Sequence, residues 1–135
     1  MTYLIIALLT IHVLAGVFWV GATAAMANLA GPEAARLFPA QMGSATLTVL
    51  TGLALWGLVI GGGFGAHAMI LTIGIITAII AAGVQGSMVG RGRRALASAS
   101  AEGQAEIVAR MATGNRIAAG LLMITVASMI IARFY

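Results

Sequence analysis

The sequence predicts an all-α integral membrane protein built as a bundle of four helices. Of its 135 residues, 61% are hydrophobic and only 7% are charged, and the mean hydropathy is +1.09. A soluble domain carries about 25% charged residues, so this chain could not cover a water-facing surface. The hydrophobic residues fall into four segments, each close to the roughly 20 residues that cross a bilayer. The arginines cluster beside these segments or near their ends.

The four predicted spans cover about residues 3–29, 40–61, 66–89 and 114–133. Gly31-Pro32 ends the first, and Pro39 suits the first turn of the second, where its missing N–H is not needed. Short connections predict that sequential helices are antiparallel neighbours. We find no internal repeat, so residues 1–135 are expected to form one transmembrane domain.

The connection before the fourth span carries a further helical pattern. Residues 101–111 are expected to form a surface helix with Ser100 as its N-cap, because a serine hydroxyl accepts from the first free backbone N–H groups.

The arginines predict the orientation of the bundle. The chain has no lysine, and its arginines concentrate in two of the three connections; Arg133 alone lies near the C-terminus. The connection between spans three and four contains Arg91, Arg93, Arg94, Arg110 and Arg116, and the connection between spans one and two contains Arg36. The positive-inside rule then places both connections in the cytoplasm and both termini outside. This rule also explains the basic charge without nucleic acid, so the expected partner is the lipid bilayer.

His12 is the first candidate functional residue. It lies inside the first span, where a titratable group is costly unless a partner, a cavity or a ligand stabilises it. His12, Gly16, Trp19 and Thr23 follow one another at helical spacing and share a face. This face combines a ring nitrogen, a gap and a flat aromatic, and it predicts a ligand-binding surface. Trp19 could stack on a flat cofactor or fill the bundle core.

Two further residues could complete a metal site with His12. His67 and Met69 lie at the start of the third span, on the same side of the membrane as His12. His/His and His/Met pairs hold haem iron, and imidazole with thioether also suits copper. The structural alternatives remain: His12 bonded to a hydroxyl or carbonyl, His67 in interfacial water, and Met69 as apolar filler.

Other chemistries find no support in the sequence. There is no cysteine, no carboxylate within a span and no nucleotide-binding or hydrolase motif. Ser44, Thr48 and Thr51 could line a polar site or bond carbonyls of their own helix. Gln85 alone indicates no role. The residues leave open whether the chain is an enzyme, and an accessory subunit that packs against a membrane partner or a second copy stays an alternative.

The opening stretch Ile11 to Gly21, IHVLAGVFWVG, resembles the start of copper-resistance D (CopD) domain proteins and of HemJ-type membrane proteins. The resemblance implies a compact four-span protein of the bacterial inner membrane. In HemJ-type proteins a first-span His and an H-x-K pattern are implicated in b-haem binding and protoporphyrinogen oxidation. His12 matches the first, and Ala66-His67-Ala68-Met69 matches the second with Met69 at the lysine position. The resemblance to CopD proteins implies a role in copper uptake.

We therefore expect a small b-type haem protein for electron transfer or porphyrin-linked redox chemistry. His12 would bind iron, His67 or Met69 would be the second ligand or line the pocket, and Trp19 would pack on the ring beside Gly16. A copper-handling permease ranks second because a bare ion needs several soft ligands close together. An accessory subunit without a cofactor is the third alternative.

Overall fold

The computed structural model describes residues 1–29 and 34–135, with the side chain of residue 34 left out. This part of the chain is helical throughout apart from short turns. Its α-helices are α1 (Thr2–Asn28), α2 (Ala34–Ile60), α3 (Ala66–Val84), α4 (Gly90–Leu96) and α5 (Ala101–Ala132), and a π-helical segment, Gln85–Val89, joins α3 to α4. Four stretches are long and apolar enough to cross a membrane: Thr2–Asn28, Ala35–Ile60, Ala66–Leu96 and Ala101–Ala132. The predicted all-α bundle of four spans is confirmed.

The spans form a ring in which α1 packs on α2, α3 packs on α5, and α5 packs on α1. The contact between α2 and α3 is much less extensive, although these helices are consecutive. They are joined by the turn Gly61–Gly65, in which Gly61 and Gly62 have φ of 56° and 85°. These values suit glycine, which has no Cβ to clash. We call this end of the bundle the glycine-turn end and the opposite end the arginine end.

The start of α2 differs from the sequence prediction. The helix begins at Ala34, so Pro39 lies inside it rather than at its first turn. Packing stabilises the part of the helix that precedes Pro39. Ala35 and Phe38 in this part join an apolar cluster with Met26 and Met111. The predicted end of the first span at residues 31–32 lies outside the part of the chain that the structure describes.

The last two spans are longer than predicted. The third continues through the π-helical segment to Leu96, and the expected surface helix at residues 101–111 is the first part of α5. Ser100 is its N-cap, with its hydroxyl accepting from the N–H of Gly103 at 3.3 Å. Each span has more than 30 residues and is therefore about 45 Å long, compared with about 30 Å for the hydrocarbon core. The residues beyond the predicted spans, up to Leu96 and from Ala101, lie at the arginine end.

Small side chains bring α3 and α5 close together. A Cβ on Gly74 would lie 3.3 Å from the Cβ of Ser128, and Ala78, Ala81 and Ala118 belong to the main core cluster. Without small residues at these positions the two helix backbones could not approach so closely. The tight α3–α5 contact contrasts with the open α2–α3 contact, and a cavity lies on the open side.

Candidate functional site

A cavity of about 450 Å³ lies between α1, α2 and α3 in the half of the bundle nearest the glycine turn. Most of its lining is leucine, isoleucine, valine, alanine and glycine. Its few other side chains are His12 of α1, Thr48 and Trp56 of α2, His67 of α3 and Met129 of α5. An apolar cavity with a few polar groups is the usual form of a small-molecule or cofactor site.

His12 is held by α2 through one ring nitrogen. Its Nδ1 lies 2.9 Å from the carbonyl oxygen of Thr48 and 3.2 Å from the hydroxyl oxygen of Thr51. A carbonyl oxygen can only accept, so Nδ1 carries a proton, and in the neutral imidazole the lone pair is on Nε2. Within the described part of the chain Nε2 has no hydrogen-bond partner. A bond to a carbonyl and a hydroxyl is the structural alternative that the sequence left open for His12, and metal-bound histidines also have a ring nitrogen that donates to a carbonyl.

Gly52 makes room for this imidazole. A Cβ at Gly52 would lie 2.8 Å from Cε1 of His12 and 3.3 Å from its Nδ1. Real Cβ contacts are essentially never that short, so any other residue here would move the ring or separate the helices. The close approach of α2 to His12 therefore depends on glycine at this position.

His67 lines the same cavity near its other end. Its Nδ1 donates to the carbonyl oxygen of Ala132 at 2.6 Å. His67 is the second residue of α3, whereas Gly52, at the level of the His12 ring, lies eight residues before the end of α2. Eight residues of helix rise about 12 Å, so His12 lies about 10 Å deeper than His67.

The other residues predicted from the sequence lie outside the cavity lining. Met69 is 69% exposed on the outside of the bundle. Trp19 is 1% exposed and lies in the core, where its indole N–H donates to Oε1 of Gln85 at 2.8 Å. Gly16 faces the side chain of Thr48. The structure thus brings His12 and His67 to one cavity and gives the other three residues different surroundings.

Sequence reasoning missed two residues of the lining. The sulfur in the lining belongs to Met129, one of eight methionines, and nothing in its spacing distinguishes it. Trp56 lies one helical turn from Gly52, and its Nε1 is buried without an acceptor among the residues described. Its spacing from Thr48 and Gly52, at i+8 and i+4, would have placed it on the same face of α2.

A second polar cluster lies deeper in the bundle, towards the arginine end. We call it the amide ring: Thr23, Gln41, Gln85 and Asn115, one residue from each span and each less than 2% exposed. The amide nitrogens of Gln41 and Gln85 each donate to the Thr23 hydroxyl at 2.8–2.9 Å and to Oδ1 of Asn115 at 3.3 Å. Both amide groups thereby use both of their protons.

Gln85 connects the amide ring to two other features. It begins the π-helical segment, and its Oε1 accepts from Trp19. The Oε1 of Gln41, by contrast, is buried with no donor in the described structure. The ring is therefore nearly, but not fully, satisfied. Because its groups are neutral amides and a hydroxyl, the ring itself offers no acid or base.

Within residues 1–29 and 34–135, no three His, Cys, Asp or Glu side chains come together as a metal cluster. A metal in the cavity would therefore need most of its ligands from elsewhere. Haem meets this requirement, because the porphyrin supplies four nitrogens and the protein needs to supply only axial ligands. The apolar lining and the position of His12 at the cavity wall fit such a group.

Comparisons of this chain with models of known families, with curated proteins and with solved structures find no match.

Proposed function

We propose that this chain is a small b-type haem protein of the membrane, with His12 as the axial ligand of the iron. The observation that carries this proposal is the hydrogen bond of 2.9 Å from His12 Nδ1 to the carbonyl of Thr48. It fixes the tautomer that has a lone pair on Nε2, at the wall of an apolar cavity of about 450 Å³. A carbonyl partner also fixes the orientation of the ring.

Haem is preferred to a bare copper ion because of the ligand count. Copper would need several soft ligands around it, and the lining offers two imidazoles about 10 Å apart and the thioether of Met129. No specific observation favours the copper alternative. The ligand set we propose uses His12 and leaves Met69 out, because Met69 lies outside the lining.

The ligand set we propose does not pair His12 with His67 on one iron. Metal–imidazole bonds are about 2 Å long, whereas helix rise separates the two backbone positions by about 10 Å in depth. In this proposal His67 lines the cavity towards the glycine-turn end, and His12 is the histidine that would hold the haem. Bound haem supplies one-electron redox chemistry. The chain's own part is to fix His12 through Thr48 and Gly52 and to keep water from the apolar cavity.

The arginines support an orientation for this activity. Five of them belong to α4 and the first half of α5, so the positive-inside rule favours a cytoplasmic arginine end. The glycine turn and both termini would then face outward, in the inner membrane of a bacterium. Electron transfer or porphyrin-linked oxidation would take place in the outer half of the bilayer.

The test is the absorption spectrum of the detergent-purified protein, oxidised and dithionite-reduced, with haem and metal analysis of the same sample. We expect a Soret band and stoichiometric haem. His12→Ala should lose most of the haem, whereas the matched variant His67→Ala should keep it.

Full haem in His12→Ala would contradict the assignment of the ligand. Stoichiometric copper without a Soret band would favour the permease. Neither cofactor, in protein from cells supplied with both, would favour an accessory subunit.

A further inference from the structure

Met129 lines the cavity from the helix that lies diagonally across the bundle from α2. In the described part of the chain it is the one methionine among the lining residues, and its side chain is partly buried. It belongs to α5, which packs on α1 and α3 and therefore lies across the ring of spans from α2. The ring of His12 is held against α2 by Thr48 and Gly52. The imidazole of His12 and the side chain of Met129 thus belong to opposite walls of one cavity.

Two glycines show that these two residues lie at about the same depth. Gly52, at the level of the His12 ring, lies eight residues before the end of α2, or about 12 Å from the glycine-turn end. Gly74 lies eight residues after the start of α3, and a Cβ there would lie 3.3 Å from the Cβ of Ser128. Met129 follows Ser128 by one residue, a rise of about 1.5 Å. His12 and Met129 are therefore level to within a few ångströms.

We propose that Met129 is the second axial ligand of the haem iron, opposite His12. This inference depends on the proposed haem function. Histidine and methionine are a known axial pair for haem iron, and the thioether raises the reduction potential of the iron. Both ligands are neutral, so they add no charge to an apolar cavity. The structural alternative, in which Met129 is a flexible side chain that only fills space, predicts a different spectrum.

The test compares the spectrum and the reduction potential of the haem-loaded wild-type protein with those of Met129→Leu. Leucine approximately conserves the volume of methionine and removes the sulfur. The ferric wild-type protein should show the weak sulfur-to-iron charge-transfer band at the red end of the visible range. In Met129→Leu we expect this band to disappear and the reduction potential to fall, while His12 still holds the haem. The matched control on the same helix is Met123→Leu, which should keep both, because Met123 is 64% exposed and lies outside the lining.

Met129→His gives a second readout that a space-filling role would not produce. Its imidazole can take the same axial position, so the ferric haem should remain low-spin. The sulfur-to-iron band should be absent, and the reduction potential should be lower than that of wild type.

Each other outcome overturns a defined claim. A ferric wild-type protein without the band, a band that persists in Met129→Leu, or high-spin haem in Met129→His would overturn the role of Met129 and leave the His12 site in place. Loss of the band in Met123→Leu as well would overturn it too. A wild-type protein that binds no haem would overturn the proposed function, and this inference with it.

Discussion

The imidazole of His12 lies against the backbone of Gly52, where a Cβ would come within 2.8 Å of its Cε1. The same ring donates to the carbonyl of Thr48, one turn earlier on α2. A glycine and a carbonyl on successive turns therefore fix both the position and the tautomer of the histidine. Helix α2, rather than the histidine's own helix, determines where the ring is held.

Gly52→Ala should displace the ring and weaken cofactor binding. The extra methyl group must move either His12 or α2, and overpacking of this kind costs about 1–3 kcal/mol. We expect haem content to fall substantially in the purified variant, measured from the Soret absorbance per protein. The matched control is Gly57→Ala on the same helix, where a Cβ meets nothing within 4 Å. Equal haem loss in both variants would contradict the role of the Gly52–His12 contact.

Gln85→Leu should destabilise the bundle. The change removes the acceptor of the Trp19 N–H and both donations to the amide ring, and each buried group left unpaired costs about 1–3 kcal/mol. We expect the midpoint of thermal unfolding in detergent to fall by several degrees. Thr46→Val is the control, because its exposed hydroxyl bonds only to a carbonyl of its own helix. A Gln85→Leu midpoint equal to that of the control would argue against a stabilising ring.

Met69→Leu should leave the spectrum unchanged. The Met69 side chain is 69% exposed on the outside of the bundle and takes no part in the cavity lining. We expect the same Soret position and the same haem content as in wild type. A shifted or lost Soret band would support the sequence-based prediction that Met69 is a ligand, and would place the cofactor outside the cavity described here.

Single cysteines can test the orientation without interference, because the chain has no cysteine of its own. Ser98 lies between α4 and α5 at the arginine end, and Phe64 lies in the glycine turn. Both residues are exposed, so Ser98→Cys and Phe64→Cys each present a thiol at one end of the bundle. With intact cells and an impermeant maleimide, we expect labelling at position 64 only. Labelling at position 98 alone would reverse the proposed orientation.

The helical face of α1 illustrates what the sequence could predict. The spacing of His12, Trp19 and Thr23 correctly indicates one inward-facing stripe, since Trp19 and Thr23 are buried and His12 reaches α2. It could not indicate that the stripe serves two sites. His12 belongs to the cavity, whereas Thr23 belongs to the amide ring and Trp19 donates to its Gln85, about 10–16 Å further along the helix. Periodicity within one helix carries no information about which neighbour each turn meets.

The amide ring could not be predicted for a related reason. Its hydrogen-bonded pairs are separated by 18 to 74 residues along the chain, and each member is an ordinary polar residue within its own span. Only the packing of four helices brings them together. The start of α2 was also mispredicted, because Pro39 signals a helix start locally whereas contacts of Phe38 with a distant cluster extend the helix.

The closed form of the amide ring has an evolutionary consequence. Thr23 and Asn115 each accept from both glutamines, so a replacement of either one leaves amide protons unpaired on two other spans. Stepwise drift through partly satisfied intermediates is therefore disfavoured inside a membrane, where no water can take over the lost bond. Among descendants of a common ancestor, the four positions should be inherited or replaced as a set.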